Sequence, residues 1–168
     1  GDEYLSSPLD LRSKFIHYKP HVTLISGIAW DHINVFKTFD DYCQCFRDLI
    51  DSIQPDGKLI YYKNDDTLKE IVYNERNDIK STTYEAFPHE VKNGITYIIE
   101  GDEYIPLKIF GKHNMENLNA AWHICKDLGI SKTDFIQKVK DFKGAAKRLE
   151  VVKMGEHSVI YKDFAHAP

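Results

Sequence analysis

Apolar and polar positions alternate along the first half of the chain in a pattern typical of an α/β domain. Residues 21–28 form a compact, β-branched apolar run, which predicts a strand buried on both faces. Residues 39–53 carry apolar side chains at helical spacing and predict an amphipathic helix. A strand is predicted at 58–62 and a short helix at 68–73, capped from within 64–66. Because strands and helices alternate, we expect parallel pairing with right-handed crossovers.

The pattern changes in the middle of the chain. Residues 81–87, 95–100 and 104–110 have the character of short strands. Gly101-Asp102-Glu103 stands between the last two as a hairpin turn. We interpret the three strands as an antiparallel insert on the parallel sheet.

Two helices and a hairpin are predicted for the last third of the chain. The first helix ends at Gly129 and has an apolar face formed by Leu118, Ala121, Trp122, Cys125 and Leu128. The second begins at Ser131 and has an apolar face formed by Phe135, Val139 and Phe142. Residues 149–154 and 158–161 predict two strands. The predicted fold class is therefore α/β, with a mostly parallel sheet flanked by helices and a small antiparallel β insert.

Composition narrows the class of protein. The chain has 168 residues, 42% hydrophobic and 29% charged, which is typical of one soluble globular domain. Its net charge of −4 gives no basic excess, so we expect no nucleic-acid partner. No apolar run approaches the roughly 20 residues that span a bilayer, so we expect no membrane insertion. Cys43, Cys45 and Cys125 are odd in number and lack metal-ligand spacing, which favours a reducing cytoplasm.

Two asparagines are the first candidate for chemistry. Asn114 follows a glycine turn and is predicted to cap the first turn of the helix with its side chain. Asn117 lies nearly on the same face one turn later. An amide pair at a helix start can donate and accept hydrogen bonds in one plane, as a nucleobase edge requires. From this stretch alone, a capped helix with a purely structural role is the favoured interpretation.

Three further groups of polar residues follow strands or loops. Asp31-His32 comes after a predicted strand, where an imidazole can meet a divalent metal, although a loop cap is the favoured interpretation. Arg148 follows a small-residue loop and offers a fork of donors suited to phosphate, or is a solvated charge. Asp163, with His166 nearby, follows the last strand and suits ribose hydroxyls, or is a turn residue.

Five short blocks, taken in chain order, resemble the Mur ligase family of ATP-dependent peptide ligases. They are Gly1-Asp2-Glu3-Tyr4, Asp31-His32, Gly111-x-His113-Asn114-x-x-Asn117-x-x-Ala120-Ala121, Gly144-x-x-x-Arg148 and Asp163-Phe164-Ala165-His166-x-Pro168. Each block is weak by itself, but the ordered set is specific and extends over essentially the whole chain. The opening block, with Arg12-Ser13-Lys14-Phe15, is most similar to the murein peptide ligase branch, which joins UDP-N-acetylmuramate to a tripeptide.

The resemblance implies a role for each matching residue. Asn114 and Asn117 are implied to bind the adenine of ATP, Arg148 its phosphates and Asp163 its ribose. His32 is implied to bind a Mg²⁺ ion that also bridges the substrate, which makes ATP and Mg²⁺ the expected cofactors.

The implied reaction forms an amide bond. ATP phosphorylates a carboxylate to an acyl phosphate, which an incoming amine attacks through a tetrahedral intermediate. Arg148 and His32 are the implied catalytic residues, because this chemistry needs charge neutralisation at phosphates. Asp31 and His166 are given substrate-binding or interdomain roles.

The resemblance also implies a domain organisation. Residues 1–163 correspond to the family's central ATP-binding domain without its phosphate-binding loop, strand and helix, and residues 164–168 to the hinge before a C-terminal domain. The abrupt ends lead us to expect a piece cut from a longer protein. Such a piece is expected to lack ligase activity alone, and to self-associate through an uncovered sheet edge.

Three alternatives remain open. The first is a UDP-N-acetylmuramate–L-alanine ligase. The second is a nucleotide-binding module whose catalysis is lost, because Gly27, Ala29 and Lys162 depart from the residues commoner in the family. The third keeps the enzyme class but changes the substrate, to folyl-polyglutamate or alanine-adding ligases. An intact phosphate-binding loop encoded upstream would favour an enzyme over the lost module.

Overall fold

The computed structural model of the chain describes residues 3–73, 76–146, 148 and 150–164. The chain divides into two compact units, Gly1–Glu85 and Ala86–Pro168. Each unit has its own sheets and its own cluster of buried apolar side chains. None of the helices in these described residues is both long enough and apolar enough to cross a membrane.

The first unit is built on a three-stranded parallel sheet. Its elements are a 3-10 helix at Lys14–His17, then β1 (Val22–Ile25), α1 (Phe39–Asp51), β2 (Lys58–Tyr62), α2 (Asp66–Tyr73) and β3 (Lys80–Tyr84). The strand order is β1-β2-β3. Leu24 lies opposite Ile60, and Ile60 lies opposite Thr82. The predicted parallel pairing is confirmed.

Strand β3 corrects one prediction. Residues 81–87 were expected to belong to an antiparallel insert, but β3 pairs parallel to β2 in the main sheet. The physical reason is helix α2, which lies between the two strands in the chain. A connection that contains a helix can return the chain to the same end of the sheet, whereas an antiparallel neighbour needs only a short turn.

Strand β1 is shorter than predicted, and only one of its faces is fully buried. Thr23 and Ile25 are buried, whereas Val22 is 45% exposed. The strand lies at the edge of its sheet. A groove beside it, lined among others by Tyr18 and Leu24, leaves the second face partly open.

Helix α1 contributes more buried residues to the core of the first unit than any other described element. It begins with a capping box, in which the Thr38 hydroxyl accepts a hydrogen bond from the Asp41 N–H at 3.1 Å and the Asp41 carboxylate accepts one from the Thr38 N–H at 3.2 Å. Its apolar face is buried as the spacing predicts. The buried residues of the helix are Tyr42, Cys43, Cys45, Phe46, Leu49 and Ile50. Each large apolar side chain buried there contributes about 1.5–3 kcal/mol.

The second unit combines two antiparallel sheets with two helices. Its elements are β4 (His89–Lys92), β5 (Ile95–Glu100), β6 (Glu103–Pro106), α3 (Lys112–Asp127), α4 (Lys132–Val139), β7 (Glu150–Met154) and β8 (Val159–Lys162). Strands β4, β5 and β6 form one sheet, and β7 and β8 form the other. The predicted α/β class is confirmed, and so is the antiparallel pairing of the last two strands.

The first antiparallel sheet contains a strand that the apolar pattern missed. β4 is short and has no buried apolar run, but the turn that joins it to β5 is Asn93-Gly94, with φ of +51° and +77°. An Asn-Gly pair with positive φ at both positions is the strongest short-range signal of a hairpin. The signal was therefore present in the sequence.

Helix α3 buries most of its predicted apolar face, because Trp122 and Cys125 pack against the same apolar cluster as Leu118. Ala121 and Leu128 are the exceptions. Met115, Leu118 and Ala120 are buried, whereas Ala121 is exposed and Leu128 is 74% exposed. The helix begins at Lys112, and Met115, whose side chain is fully buried, sets the buried stripe. Leu128 follows the last helical residue, so it does not extend that stripe. Phe142, expected on the face of α4, lies beyond that helix and is 46% exposed.

Candidate functional site

Asp31 and His32 lie in the loop that follows β1, in the first unit. The Asp31 carboxylate accepts a hydrogen bond from the backbone N–H of His32 at 2.6 Å. His32 has φ +54°, a left-handed conformation that is uncommon outside glycine but enriched in histidine. Its carbonyl accepts hydrogen bonds from Val35 at 2.8 Å and Phe36 at 3.0 Å. The local backbone therefore fixes the conformation of His32 in the loop that follows β1.

Glu3, Asp31 and Tyr4 lie close to the His32 ring, and Tyr42 reaches the site through Glu3. Glu3 Oε1 lies 3.6 Å from His32 Nε2, and Asp31 Oδ2 lies 3.9 Å from the same nitrogen. The Tyr4 ring meets the imidazole edge-on, with centroids 4.8 Å apart. The Tyr42 hydroxyl donates a hydrogen bond to Glu3 Oε1 at 2.9 Å. Burial, together with this bond to Glu3, raises the pKa of Tyr42 above its usual range, so the phenol stays protonated.

The donor set around His32 is compatible with a divalent cation that also binds another ligand. An imidazole and two carboxylates converge there, yet the described residues contain no cluster of three or more ligating side chains placed to hold a metal ion by themselves. Mg²⁺ usually keeps several waters and binds through one or two protein groups plus substrate phosphates. The arrangement therefore suits a Mg²⁺ ion that is bound partly by these side chains and partly by substrate phosphates, rather than one bound by protein ligands alone.

A cavity of about 510 Å³ opens at the carboxyl ends of β1 and β2. Residues 26–29 line one side of it, and Tyr62 with residues 64–66 line the other. Asp65 braces this edge, because its Oδ2 accepts a hydrogen bond from the Ile28 N–H at 2.6 Å. Open α/β sheets bind their ligands at this edge.

In the second unit, helix α3 begins differently from the prediction. Gly111 is the N-cap residue, with φ +88°, and makes no side-chain cap bond. A Cβ at this position would meet the His113 ring at 2.9 Å, but that exposed side chain can turn away, so the positive φ is the reason that glycine is favoured here. Asn114 was predicted to cap the helix, but it lies inside the first turn. Its Nδ2 instead donates a hydrogen bond to the Phe110 carbonyl at 2.7 Å.

The two asparagines differ in their surroundings. Asn114 is half-buried and holds the preceding loop through the Phe110 carbonyl, whereas Asn117 is exposed. The bond to Phe110 orients the Asn114 amide and directs its nitrogen at the backbone. One amide is therefore fixed in direction, and its neighbour one turn later is open to solvent.

Arg148 and Asp163 are exposed residues of the second unit. The N–H of Arg148 donates to the Ala145 carbonyl at 3.1 Å, which closes the loop begun at Gly144. Asp163 follows β8, as the sequence predicts. His166 lies outside the described residues, so its predicted role stays a prediction.

A cavity of about 520 Å³ adjoins the loop before Arg148. It is lined by Lys108, Lys143, Gly144, Ala145, Ala146, Glu150, Val151 and Met154. The Lys108 ammonium forms an ion pair with Asp141 at 2.6 Å, and no sequence signal marked this lysine. Two cations thus line the space beside a small-residue loop.

Sequence reasoning found some of these residues and missed others. Within the first unit the structure brings Asp31 and His32 together with Glu3, which the motif contained, and with Tyr42, which the pattern treated as core. A tyrosine on the apolar face of a helix needs a partner for its hydroxyl, and this was the available signal for Tyr42. The remaining described candidates, Asn114, Asn117, Arg148 and Asp163, belong to the second unit.

Known proteins similar to this chain share a family. The sequence model described as the Mur ligase middle domain matches residues 4–125. The UDP-N-acetylmuramate–L-alanine ligase of Desulfitobacterium hafniense is 26% identical over 100% of this chain and 39% of its own length. The UDP-N-acetylmuramate–L-alanyl-γ-D-glutamyl-meso-2,6-diaminoheptandioate ligase of Escherichia coli is 27% identical over 100% of this chain and 38% of its own. The chain thus spans under two fifths of the length of these relatives.

Solved structures show the same fold. MurF from Acinetobacter baumannii has a TM-score of 0.77 and 22% identity, over 100% of this chain and 38% of that one. The murein peptide ligase of Psychrobacter arcticus has a TM-score of 0.71 and 20% identity, over 99% of this chain and 36% of that one. The family match extends through both the His32 loop and most of helix α3. This chain belongs to the Mur ligase family.

Proposed function

We propose that this chain is the central ATP-binding part of a cytoplasmic, ATP-dependent ligase that joins UDP-N-acetylmuramate to a tripeptide in peptidoglycan synthesis or recycling. One observation carries the proposal. Relatives of two kinds, similar over the whole chain, are both named as ligases of UDP-N-acetylmuramate, and they differ only in the amine partner. The sugar-nucleotide substrate is therefore better supported than the amine.

The described residues suit the parts of such a site. Asn114 and Asn117 bind adenine, Asp163 the ribose and Arg148 the phosphates. The exposed guanidinium of Arg148 is free to turn toward an anion, because only its backbone N–H closes the loop. A planar fork of five donors matches phosphate geometry.

The His32 loop suits the binding of a cation near the substrate carboxylate that reacts with ATP. His32 contributes an imidazole ligand, and Asp31 fixes the backbone of that residue. A bound Mg²⁺ would neutralise phosphate charge while the carboxylate of the sugar nucleotide becomes an acyl phosphate. Asp31 and His166 contact substrate or the neighbouring domain.

The domain arrangement is also a proposal. Residues 1–163 form the central domain and residues 164–168 the hinge to a C-terminal domain. The chain spans 38–39% of its relatives' lengths, so further domains of the intact protein would bind the remaining substrates. The isolated chain is then expected to have no ligase activity.

Assay of the intact protein tests the function. ADP release is measured with ATP, Mg²⁺ and UDP-N-acetylmuramate, with either L-alanyl-γ-D-glutamyl-meso-diaminopimelate or L-alanine as amine. Release that requires the tripeptide supports the proposal. Release with L-alanine but not with the tripeptide assigns the protein to the UDP-N-acetylmuramate–L-alanine ligases, the alternative that the Desulfitobacterium match favours. Binding of ATP without release in any combination indicates a module that has lost catalysis.

We propose further that the isolated chain self-associates. β1 is an edge strand of the parallel sheet, and its Val22 side chain is 45% exposed beside a groove lined by Phe15, Tyr18 and Leu49. An exposed edge with apolar side chains is a template for pairing with another chain. Light scattering of the isolated chain should show a mass that rises with concentration, and a constant monomer mass would contradict this.

A further inference from the structure

The His32 site depends on a contact that bridges 39 positions of the chain. The Tyr42 hydroxyl donates to Glu3 Oε1 at 2.9 Å, and the same oxygen lies 3.6 Å from His32 Nε2. A separation of 3.6 Å is too long for a hydrogen bond. The carboxylate is therefore held by the tyrosine and faces the imidazole without being bonded to it.

The position of the Tyr42 hydroxyl is determined by the core of the first unit. The residue lies on helix α1 and is 4% exposed. Its ring packs edge-on against Phe36 at 5.3 Å and Phe46 at 5.4 Å, and is stacked with Phe39 at 6.5 Å. Side chains packed in this way keep one rotamer. The hydroxyl is thus a rigid donor.

Within the part of the chain that the structure describes, the Tyr42 hydroxyl is the group that hydrogen-bonds the Glu3 carboxylate. Its side chain is only 13% exposed, so the charge needs a hydrogen-bonding partner. Nearby backbone contacts hold the segment, because the Lys14 N–H donates to the Tyr4 carbonyl at 3.0 Å. These backbone contacts do not involve the Glu3 side chain. The hydrogen bond from Tyr42 therefore sets the direction of the Glu3 carboxylate. Asp31 differs, because the N–H of His32 already fixes its carboxylate.

We propose that Tyr42 is a positioning residue that holds Glu3 beside His32 and thereby strengthens the binding of a divalent cation at His32. This inference rests on the proposed function only in taking His32 as a cation ligand. Groups that orient the ligands of a metal typically change its affinity by about 10–100-fold when they are removed. Tyr42 would act on the cation through Glu3 and not by contact.

Binding of Mn²⁺ to the intact protein tests the inference. Mn²⁺ is titrated without nucleotide and followed by electron paramagnetic resonance, for the wild type, Tyr42→Phe, Glu3→Gln and the double variant. Tyr42→Phe keeps the ring that packs in the core and removes only the hydroxyl. It should weaken Mn²⁺ binding about tenfold. In the Glu3→Gln background the same change should have no further effect, because the carboxylate through which Tyr42 acts is already altered.

Tyr84→Phe is the matched control. Tyr84 is a buried tyrosine of the same unit, 3% exposed, and lies in β3. This variant should bind Mn²⁺ like the wild type. Equal Mn²⁺ affinity in Tyr42→Phe and wild type would overturn the inference, as would no binding to the wild type. If Tyr42→Phe fails to fold, as its melting temperature would show, Glu3→Gln provides the test, and wild-type affinity in that variant overturns the inference.

The two proposals fail in different ways. If no UDP-N-acetylmuramate ligation is found but Tyr42→Phe weakens Mn²⁺ binding, the proposed substrate is wrong and the positioning role stands. If ligation is found and Tyr42→Phe keeps both its Mn²⁺ affinity and its half-saturating Mg²⁺ concentration, the positioning role alone is wrong.

Discussion

Asp65 joins the end of β1 to the start of helix α2 through two hydrogen bonds from one carboxylate. Its Oδ2 accepts from the Ile28 N–H at 2.6 Å, and its Oδ1 accepts from the Leu68 N–H at 2.9 Å. The second bond caps the helix, as the Asn64–Asp66 segment predicts. The first braces the segment that leads to Asp31 and His32.

Loss of this carboxylate should destabilise the first unit. In Asp65→Ala, two half-buried N–H groups lose their partner, and we expect a free energy of unfolding lower by about 2–3 kcal/mol. Urea unfolding followed by circular dichroism measures this. Asp66→Ala is the control, because the Asp66 side chain is 94% exposed in its pair with Lys69, and a much smaller change is expected. Equal effects of the two variants would contradict the bracing role.

Arg76 should stabilise the end of helix α1. Its Nη1 donates to the carbonyls of Asp51, at 2.9 Å, and Ile53, and its Nε donates to Asp78 at 2.8 Å. Arg76→Met keeps an apolar stem but leaves these carbonyls without a charged donor. We expect a loss of about 1.5–3 kcal/mol in the free energy of unfolding.

Arg47→Met is the matched control for Arg76. Arg47 pairs with Asp40, whose side chain is 85% exposed, and exposed ion pairs contribute about 0–1 kcal/mol. Chemical denaturation of both variants compares the two arginines directly. A larger loss in Arg47→Met than in Arg76→Met would show that the carbonyl contacts are unimportant.

The cysteines should differ in reactivity. Burial, with the negative charge of Asp48 next in effect, raises the pKa of Cys45 to about 11, and burial raises the pKa of Cys43. Thiolate is the reactive form, so both thiols stay protonated and unreactive at pH 8. Cys125 is only half-buried.

Alkylation with iodoacetamide at pH 8, read by mass spectrometry, should therefore modify Cys125 first. Cys43 and Cys45 should react only after urea is added, which makes them reporters of unfolding in the first unit. Rapid modification of Cys45 in the native protein would show that helix α1 is not packed as described.

Substitution of Asn114 tests the proposed adenine contact in the intact protein. Asn114→Ala removes an amide that is fixed by the Phe110 carbonyl, and the loss of one hydrogen bond to adenine predicts a rise of about 3- to 10-fold in the apparent KM for ATP. Steady-state ADP release measures it. Asn119→Ala, on the same helix at a position that the family motif leaves unspecified, should leave that KM unchanged. An unchanged KM in Asn114→Ala would remove the adenine assignment.

Several parts of the fold could be predicted because their causes are local. Helix α1 follows from apolar spacing that its own residues impose, and strand β2 from a short apolar run that coincides with Lys58–Tyr62. The turn between β5 and β6 follows from Gly101-Asp102, and Glu103, which was predicted to belong to the turn, is the first residue of β6. The ordered motif blocks also identified the family, since they depend only on residue identity and order.

Other parts could not be predicted, because they depend on where distant segments meet. The parallel pairing of β3 depends on the path of the chain through α2. The apolar pattern of β3 does not show this, because it is the same for a parallel and an antiparallel strand. The partner of Asn114 depends on the start of α3 at Gly111, one turn earlier than a side-chain cap would place it.

The amino-acid sequence by itself determined the α/β class, the main helices and the residue types available for nucleotide and cation binding. Spacing, turn chemistry and residue identity act over a few neighbours, so they can be read along the chain. Tertiary structure alone decided that Tyr42, on a core helix, reaches Glu3 beside His32. That contact exists only after the packing of the aromatic core fixes the tyrosine hydroxyl in place, because a hydrogen bond requires both position and direction.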